Sequence, residues 1–393
     1  NPAVILNSSV WGQVDSCFSL AVILLCLCLV RKKLTCAYAA FGVGLLLKPQ
    51  MLLFAPLLAA GILDYLFSLG SSFSSDSPDD NAGKISACQT DTVRGCVFKV
   101  MRCLLPGVPV LMGFVLLCVP FGLENVWKQY FSTVGSYPYA AVNACNFWGF
   151  LGLNWVSQDT LFLGIPYRIL GAAAIAAVVT LVLLVSLRNR RDPEKYPFLG
   201  ALLIVGIFMF SVRMHERYLY PALPLLLLAW IQKPSGLAFL SYCGFSILHF
   251  YNTAHVLFFY DPANYDRRSP FILLVSAGML FCTGLLYTAA GRLYRKAVTM
   301  RPFQIRSSQK RIPLNKADIL CMSVITFLYG CVALYDLGDH KAPVTALDLT
   351  QNQSLTLDFG GEVPAVLSYY IAPWNDRTFS LEGQWEGTGE WTA

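Results

Sequence analysis

The chain has 393 residues, of which 56% are hydrophobic and only 13% charged, and its mean hydropathy is +0.55; ordinary soluble domains carry roughly 25% charged residues. So little polar surface excludes a disordered tail, a nucleic-acid module and a soluble single-core enzyme, and leaves burial in a membrane. The formal net charge is +6, and its meaning depends on where the basic residues fall.

Asn1 stands where a Met would, and no basic region or cleavage site precedes the first apolar run, so the chain reads as a fragment. Apolar runs that span, or nearly span, a bilayer are predicted at 16–30, 34–47, 51–68, 99–120, 167–187, 197–212, 219–231, 235–258, 270–290 and 318–336. The runs at 34–47, 197–212 and 219–231 fall short of the roughly 20 residues a perpendicular helix needs. They are expected to run on into their flanks or to re-enter. A Ser/Asp/Gly-rich stretch at 70–95 reads as a cytoplasmic linker, and 121–166 as a structured, aromatic-rich extracytoplasmic loop. After Asp336 short alternating stretches divided by Gly, Asn and Pro read as β-strands. The expected organisation is an α-helical polytopic membrane domain over 1–336, with a basic cytoplasmic loop at 292–316, then part of an extracytoplasmic β-sandwich over 337–393.

The basic residues check this layout, because cytoplasmic loops are enriched in Lys and Arg. With Arg31, Lys32 and Lys33 placed inside and each run crossing once, 20 of the 29 basic residues fall in inside loops and 7 in outside loops, and Lys341 and Arg377 lie in the C-terminal tail. The outside group is Lys48, Lys128, Arg168, Arg213, Arg217, Arg267 and Arg268. The positive charge is therefore a topology signal and not a nucleic-acid footprint. The 13 cysteines include no C-x-x-C pair and mostly sit in apolar runs, where Cys packs as a small hydrophobe.

Polar residues held at a membrane boundary are the chemically informative ones. On this parity four clusters reach the outer face: NPAVILNSSVWGQVDS at the start, Lys48-Pro49-Gln50, YPYAAVNACNFW from Tyr137 to Trp148, and RMHERYLYP from Arg213 to Pro221. Drawn from distant parts of the chain, they suggest one shared cavity.

As an ordered set, these motifs resemble a bacterial branch of the GT-C glycosyltransferases, which are similar to the GPI mannosyltransferases and protein O-mannosyltransferases. The resemblance covers about residues 1–260. It implies a GT-C-like fold of about ten membrane segments. The implied activity is inverting transfer of a hexose, mannose first, from a polyprenyl-phosphate donor to a glycan, lipid or protein acceptor at the extracytoplasmic face of the cell envelope. It also implies a catalytic carboxylate in a first loop that would precede Asn1, which leaves the fragment without its main base.

Inverting transfer needs a base for the acceptor hydroxyl and donors for the departing phosphate. Asp15, the one carboxylate of the first cluster, is a candidate base or orienting group, or else a helix cap. Asn7, Trp11 and Gln13 are candidates for sugar binding, or form an interfacial belt. Lys48 is a candidate phosphate ligand with Gln50 beside it, or a lysine snorkelling to the interface. Arg217 is the preferred phosphate ligand because guanidinium matches phosphate geometry; His215 would assist, and Glu216 would pair with Arg213 or Arg217. Tyr137, Tyr139, Asn143, Asn146 and Trp148 would wall the donor or acceptor site, or pack as a re-entrant loop. His249 and His255, within the 235–258 run, would face each other or a cavity, or else pack in the core or an interface, which is the preferred reading. A divalent cation is compatible with the family, but no ligand set for one stands out. The rival functions are a flippase for lipid-linked sugars, which should show paired broken helices, and a non-catalytic envelope-assembly protein.

Overall fold

The computed structural model describes residues 1–72, 97–261, 266–294 and 315–334, together with 383–384 and 391–392. The chain divides into two compact units, Asn1–Arg306 and Ser307–Ala393. All ten apolar runs are helical among the described residues. Among the described residues, five helical stretches are long and apolar enough to cross a membrane: Pro49–Ser68, Val97–Phe121, Tyr167–Arg188, Pro193–Phe210 and Pro270–Tyr294. The architecture is that of an α-helical membrane protein.

In the first unit a short helix α1 (Pro2–Ile5) continues into a π turn, Leu6–Val10. Helices α2 (Asp15–Val30) and α3 (Leu34–Leu47) form a hairpin. Helix α3 ends because Lys48 precedes a proline, which disfavours the helical region for it; its backbone is extended at φ −157° and ψ 125°. Pro49–Phe54 then makes a 3-10 turn into α4 (Ala55–Ser72). Helix α5 (Val108–Cys118) is the middle of the Val97–Phe121 stretch, and α6 (Leu123–Gly135) follows it across Gly122.

The 121–166 loop is folded. It holds α6, the strand β1 (Ala141–Val142), the one-turn helix α7 (Phe147–Phe150) and a small hairpin of β2 (Leu161–Phe162) with β3 (Ile165–Pro166). There follow α8 (Tyr167–Arg188), α9 (Tyr196–Phe210), β4 (Met214–His215), α10 (Ala222–Gln232), α11 (Gly236–Phe259) and α12 (Pro270–Tyr294).

Helix α9 is the axis of this unit. It is apolar on every face, so it can be stable only when surrounded, and each residue from Tyr196 to Met209 is buried. It packs against α2, α8, α10 and α12. Helices α11 and α12 also approach closely through small residues: a Cβ on Gly244 would strike the Cys282 sulfur, and one on Gly278 would lie 3.0 Å from Leu248.

In the second unit, α13 (Lys316–Leu334) and the antiparallel pair β5 (Gly383–Gln384) and β6 (Trp391–Thr392) are described. The rest of the expected β-sandwich lies outside the described residues. So do most of the linker (73–96) and most of the basic loop (295–314).

Candidate functional site

The four sequence clusters meet at one end of the first unit. Asp15 opens α2 and is 2% exposed. It makes no capping bond; its carboxylate instead forms an ion pair with Lys48 and accepts a 3.0 Å hydrogen bond from Asn7 Nδ2. Gly12, at φ +67°, reverses the chain between Asn7 and Asp15, and the half-buried Gln13 donates its backbone N–H to the Asn7 carbonyl. The break at Pro49 leaves Lys48 at a free helix end, where its side chain reaches Asp15.

The third and fourth clusters are joined through their backbones. Strand β1 pairs in parallel with β4, Ala141 opposite Met214 and Val142 opposite His215. Arg213, at φ +63°, donates its backbone N–H to the Tyr139 carbonyl and its Nε to Gln158 Oε1 at 2.7 Å. The His215 ring meets the exposed Tyr137 ring edge-on at 4.6 Å and lies 5.0 Å from Tyr218.

The 3-10 turn Glu216–Leu219 sends consecutive side chains in different directions. Arg217 lies over the Trp11 ring at 5.7 Å, which ties the fourth cluster to the first. Its Nε is buried and has no hydrogen-bond partner among the described residues. Tyr218 hydrogen-bonds Gln50, and Tyr220 OH lies 3.0 Å from Ser8 Oγ. The ion pair at this end is Lys48–Asp15, and Glu216 makes none within 4.0 Å among the described residues.

Burial sets the charge state of the connecting turn. It pushes His215 down to about 4, helped by the Arg217 and Lys48 charges, so the imidazole is neutral near pH 7. It pushes Glu216 up to about 7, with Arg217 pulling in the opposite direction. Between the α2–α3 side and the α9–α10 side lies a cavity of about 10 Å³, lined by Asp15, Phe18, Gln50, Leu53, Ile204, Tyr218 and Pro221. That is room for a single water.

Asn146, Trp148 and Asn143 have structural partners. Asn146 is fully buried; its Oδ1 caps α7 by accepting from the backbone N–H groups of Trp148 and Gly149, and its Nδ2 donates to the Phe208 carbonyl at 3.0 Å. Trp148 Nε1 donates to the Phe210 carbonyl at 3.1 Å. Together they satisfy two of the carbonyls that the end of α9 leaves without helical partners. Asn143 Oδ1 accepts from Trp155 Nε1 and Asn154 Nδ2, and its carbonyl accepts from Asn252.

Two further features lie apart from these clusters. His249 on α11 is fully buried, with both ring nitrogens unpartnered among the described residues and its ring 6.4 Å from Tyr220. It does not face His255, which stacks on Phe271 at 4.5 Å. The second grouping is a buried ionic knot. Lys195 Nζ sits 2.5 Å from Asp64 Oδ2 and donates to the carbonyls of Ser186 and Asn189, at the end of α8. Tyr196 OH donates to the same Asp64 oxygen at 2.7 Å, and Lys233 pairs with Asp192. Lys195 lies three residues after Asp192 in a short connection, which on sequence alone resembles any solvated turn.

Among the described residues no group of three or more His, Cys, Asp or Glu is placed to hold a metal ion. No family model matches the chain, and neither a curated protein nor a solved structure matches it.

Proposed function

We propose that the protein is a membrane glycosyltransferase of the GT-C type, which moves a hexose, mannose first, from a polyprenyl-phosphate donor to a glycan, lipid or protein acceptor. One observation carries this reading. Lys48 and Arg217, far apart in sequence, converge with neutral His215 and the Trp11 ring at one end of a membrane helix bundle, and Arg217 keeps a buried donor free.

In the reaction the acceptor oxygen forms a bond to the anomeric carbon as the bond from that carbon to the phosphate oxygen breaks. The acceptor proton passes to a carboxylate base, and the phosphate leaves with the bonding electron pair. Arg217 and Lys48 receive that charge, and guanidinium can do so through two parallel hydrogen bonds. His215 offers a neutral hydrogen bond, and Trp11 a face on which a pyranose can stack. Asp15, already engaged by Lys48 and Asn7, acts in this reading as a positioning residue that aims Lys48. The charge bias of the loops supports placing this end on the extracytoplasmic side.

Transfer from labelled polyprenyl-phosphate mannose by the intact protein in its native membrane tests the proposal. Arg217→Ala and Lys48→Ala should each cut transfer by about tenfold or more, the loss expected when a charged hydrogen bond to the leaving group is removed. If both variants transfer at the parental rate, the phosphate assignment is wrong. The second reading is a carrier of lipid-linked sugars, which the unmatched break at Lys48-Pro49 disfavours, because such carriers pair two broken segments. Translocation in liposomes without a new glycosidic bond would establish that reading instead.

A further inference from the structure

Helix α6 carries a stripe of large apolar side chains that the other described residues of the first unit cover only along one edge. At 100° per residue, Leu123, Val126, Trp127, Tyr130 and Phe131 fall within an arc of about 140°. Glu124, Asn125, Lys128, Gln129 and Ser132 take the opposite side. Val126 and Tyr130 are half-buried toward the protein, while Leu123, Trp127 and Phe131 are 50%, 67% and 59% exposed. The Trp127 and Phe131 rings lie 4.7 Å apart, so the stripe is continuous.

Two further observations say what covers it. The stripe runs on from the Val97–Phe121 stretch, whose most apolar part is only 6% buried and whose Leu111, Met112, Leu116, Leu117 and Phe121 all point outward. A surface of that kind belongs in hydrocarbon. Gly122, at φ +76°, a conformation L side chains rarely adopt, turns the chain between the two, so the stripe leaves that surface at a corner. The helix that follows has a polar face, with an exposed Glu124–Lys128 pair, and a tryptophan on its apolar edge, the pattern of a helix lying where acyl chains meet headgroups.

We propose that α6 is an in-plane interfacial helix, which seats Leu123, Trp127 and Phe131 in the headgroup–acyl boundary of the bilayer at the same end as Asp15 and Lys48. Tyr130 fixes the end: its hydroxyl donates to the Leu45 carbonyl at 2.6 Å, three residues before Lys48. A seated α6 therefore holds the end of α3 at a set depth, and with it the lysine of the candidate site. The inference rests on the membrane architecture and not on the chemistry proposed for that site.

Fluorescence of the full chain in phosphatidylcholine vesicles tests it, with the lipid brominated either near the glycerol end or near the methyl end of the acyl chain. Comparing the parent with Trp127→Phe isolates Trp127 among the 8 tryptophans. Shallow bromine should quench the Trp127 component about twofold more than deep bromine, and aqueous acrylamide should quench it least. Acrylamide quenching typical of a water-exposed tryptophan overturns the proposal. So does deep quenching equal to shallow, and so does protection from all three quenchers, which would mean that protein, such as a second copy, covers the stripe. The double variant Trp127→Glu/Phe131→Glu, at exposed positions that leave the core intact, should raise amide exchange across 123–135 by about tenfold in vesicles. Unchanged exchange also counts against the proposal.

Discussion

Asp15 and Lys48 form an ion pair that closes the open end of the α2–α3 hairpin, and each is largely shielded from water, with side chains 3% and 15% exposed. A charge left alone there has no ready partner, although Asn7 still donates to Asp15. Lys48→Met should therefore destabilise the fold by roughly 3 kcal/mol, and Asp15→Asn by somewhat less. The double variant should recover part of the loss. Thermal unfolding in detergent of the parent, the two single variants and the double variant measures the coupling; strictly additive losses would show that the pair is not a unit.

Glu216 and His215 titrate with opposite consequences. Burial raises Glu216 from 4.5 to about 7, so the native state keeps a proton that the unfolded chain has lost. Stability from this group is full below about 4.5, falls as pH rises toward 7, and is flat above. His215, lowered from 6.5 to about 4, contributes fully above about 6.5 and loses its contribution as pH falls toward 4. The two nearly offset each other in the parent between those limits. In Glu216→Gln only the histidine slope remains, so unfolding temperature should rise with pH across the same window, by the equivalent of a few kcal/mol on the order-of-magnitude scale of such shifts. A profile identical to the parent's would mean that Glu216 does not titrate there.

The Asn146 amide serves three backbone groups, so Asn146→Ala leaves the Phe208 carbonyl and two N–H groups buried without it. A loss of about 3 kcal/mol is expected, against about 1 kcal/mol for Trp148→Phe, which removes one hydrogen bond. Both losses should appear in thermal unfolding. A change in donor KM with unfolding unaltered would instead show that these side chains touch substrate.

Lys195 satisfies Asp64 and two carbonyls at the end of α8 while being fully buried itself. Lys195→Met strands the Asp64 carboxylate and should cost roughly 3–5 kcal/mol. Lys195→Met with Asp64→Leu should return much of that, as replacing a buried pair by apolar side chains often does. Chemical denaturation of the three variants decides it.

The helices were legible in the sequence because each is an apolar run bounded by charges or proline, and Lys48-Pro49 marked a break that the backbone shows. The same clusters that suggested a shared site do come together. Their partners were not legible. That Trp11 meets Arg217, or Val142 meets His215, depends on the register of the 137–148 loop against the 213–221 turn, and register leaves no periodic trace in the residues. By sequence, Lys195 and Lys233 are loop charges like any others, whereas the fold turns one into the centre of a buried knot and pairs the other with Asp192. Counting charges by loop is blind to their depth.

The pairing of β1 with β4 binds the 137–148 and 213–221 segments into a single body, anchored to the end of α9 through Asn146 and Trp148. Beside this body lies the one-water cavity at which Asp15, Phe18, Gln50 and Leu53 face Ile204, Tyr218 and Pro221. Tyr218 with Gln50, Tyr220 with Ser8 and Arg217 with Trp11 tie this body to the segments that flank the α2–α3 hairpin, so any separation of the two sides breaks all three contacts.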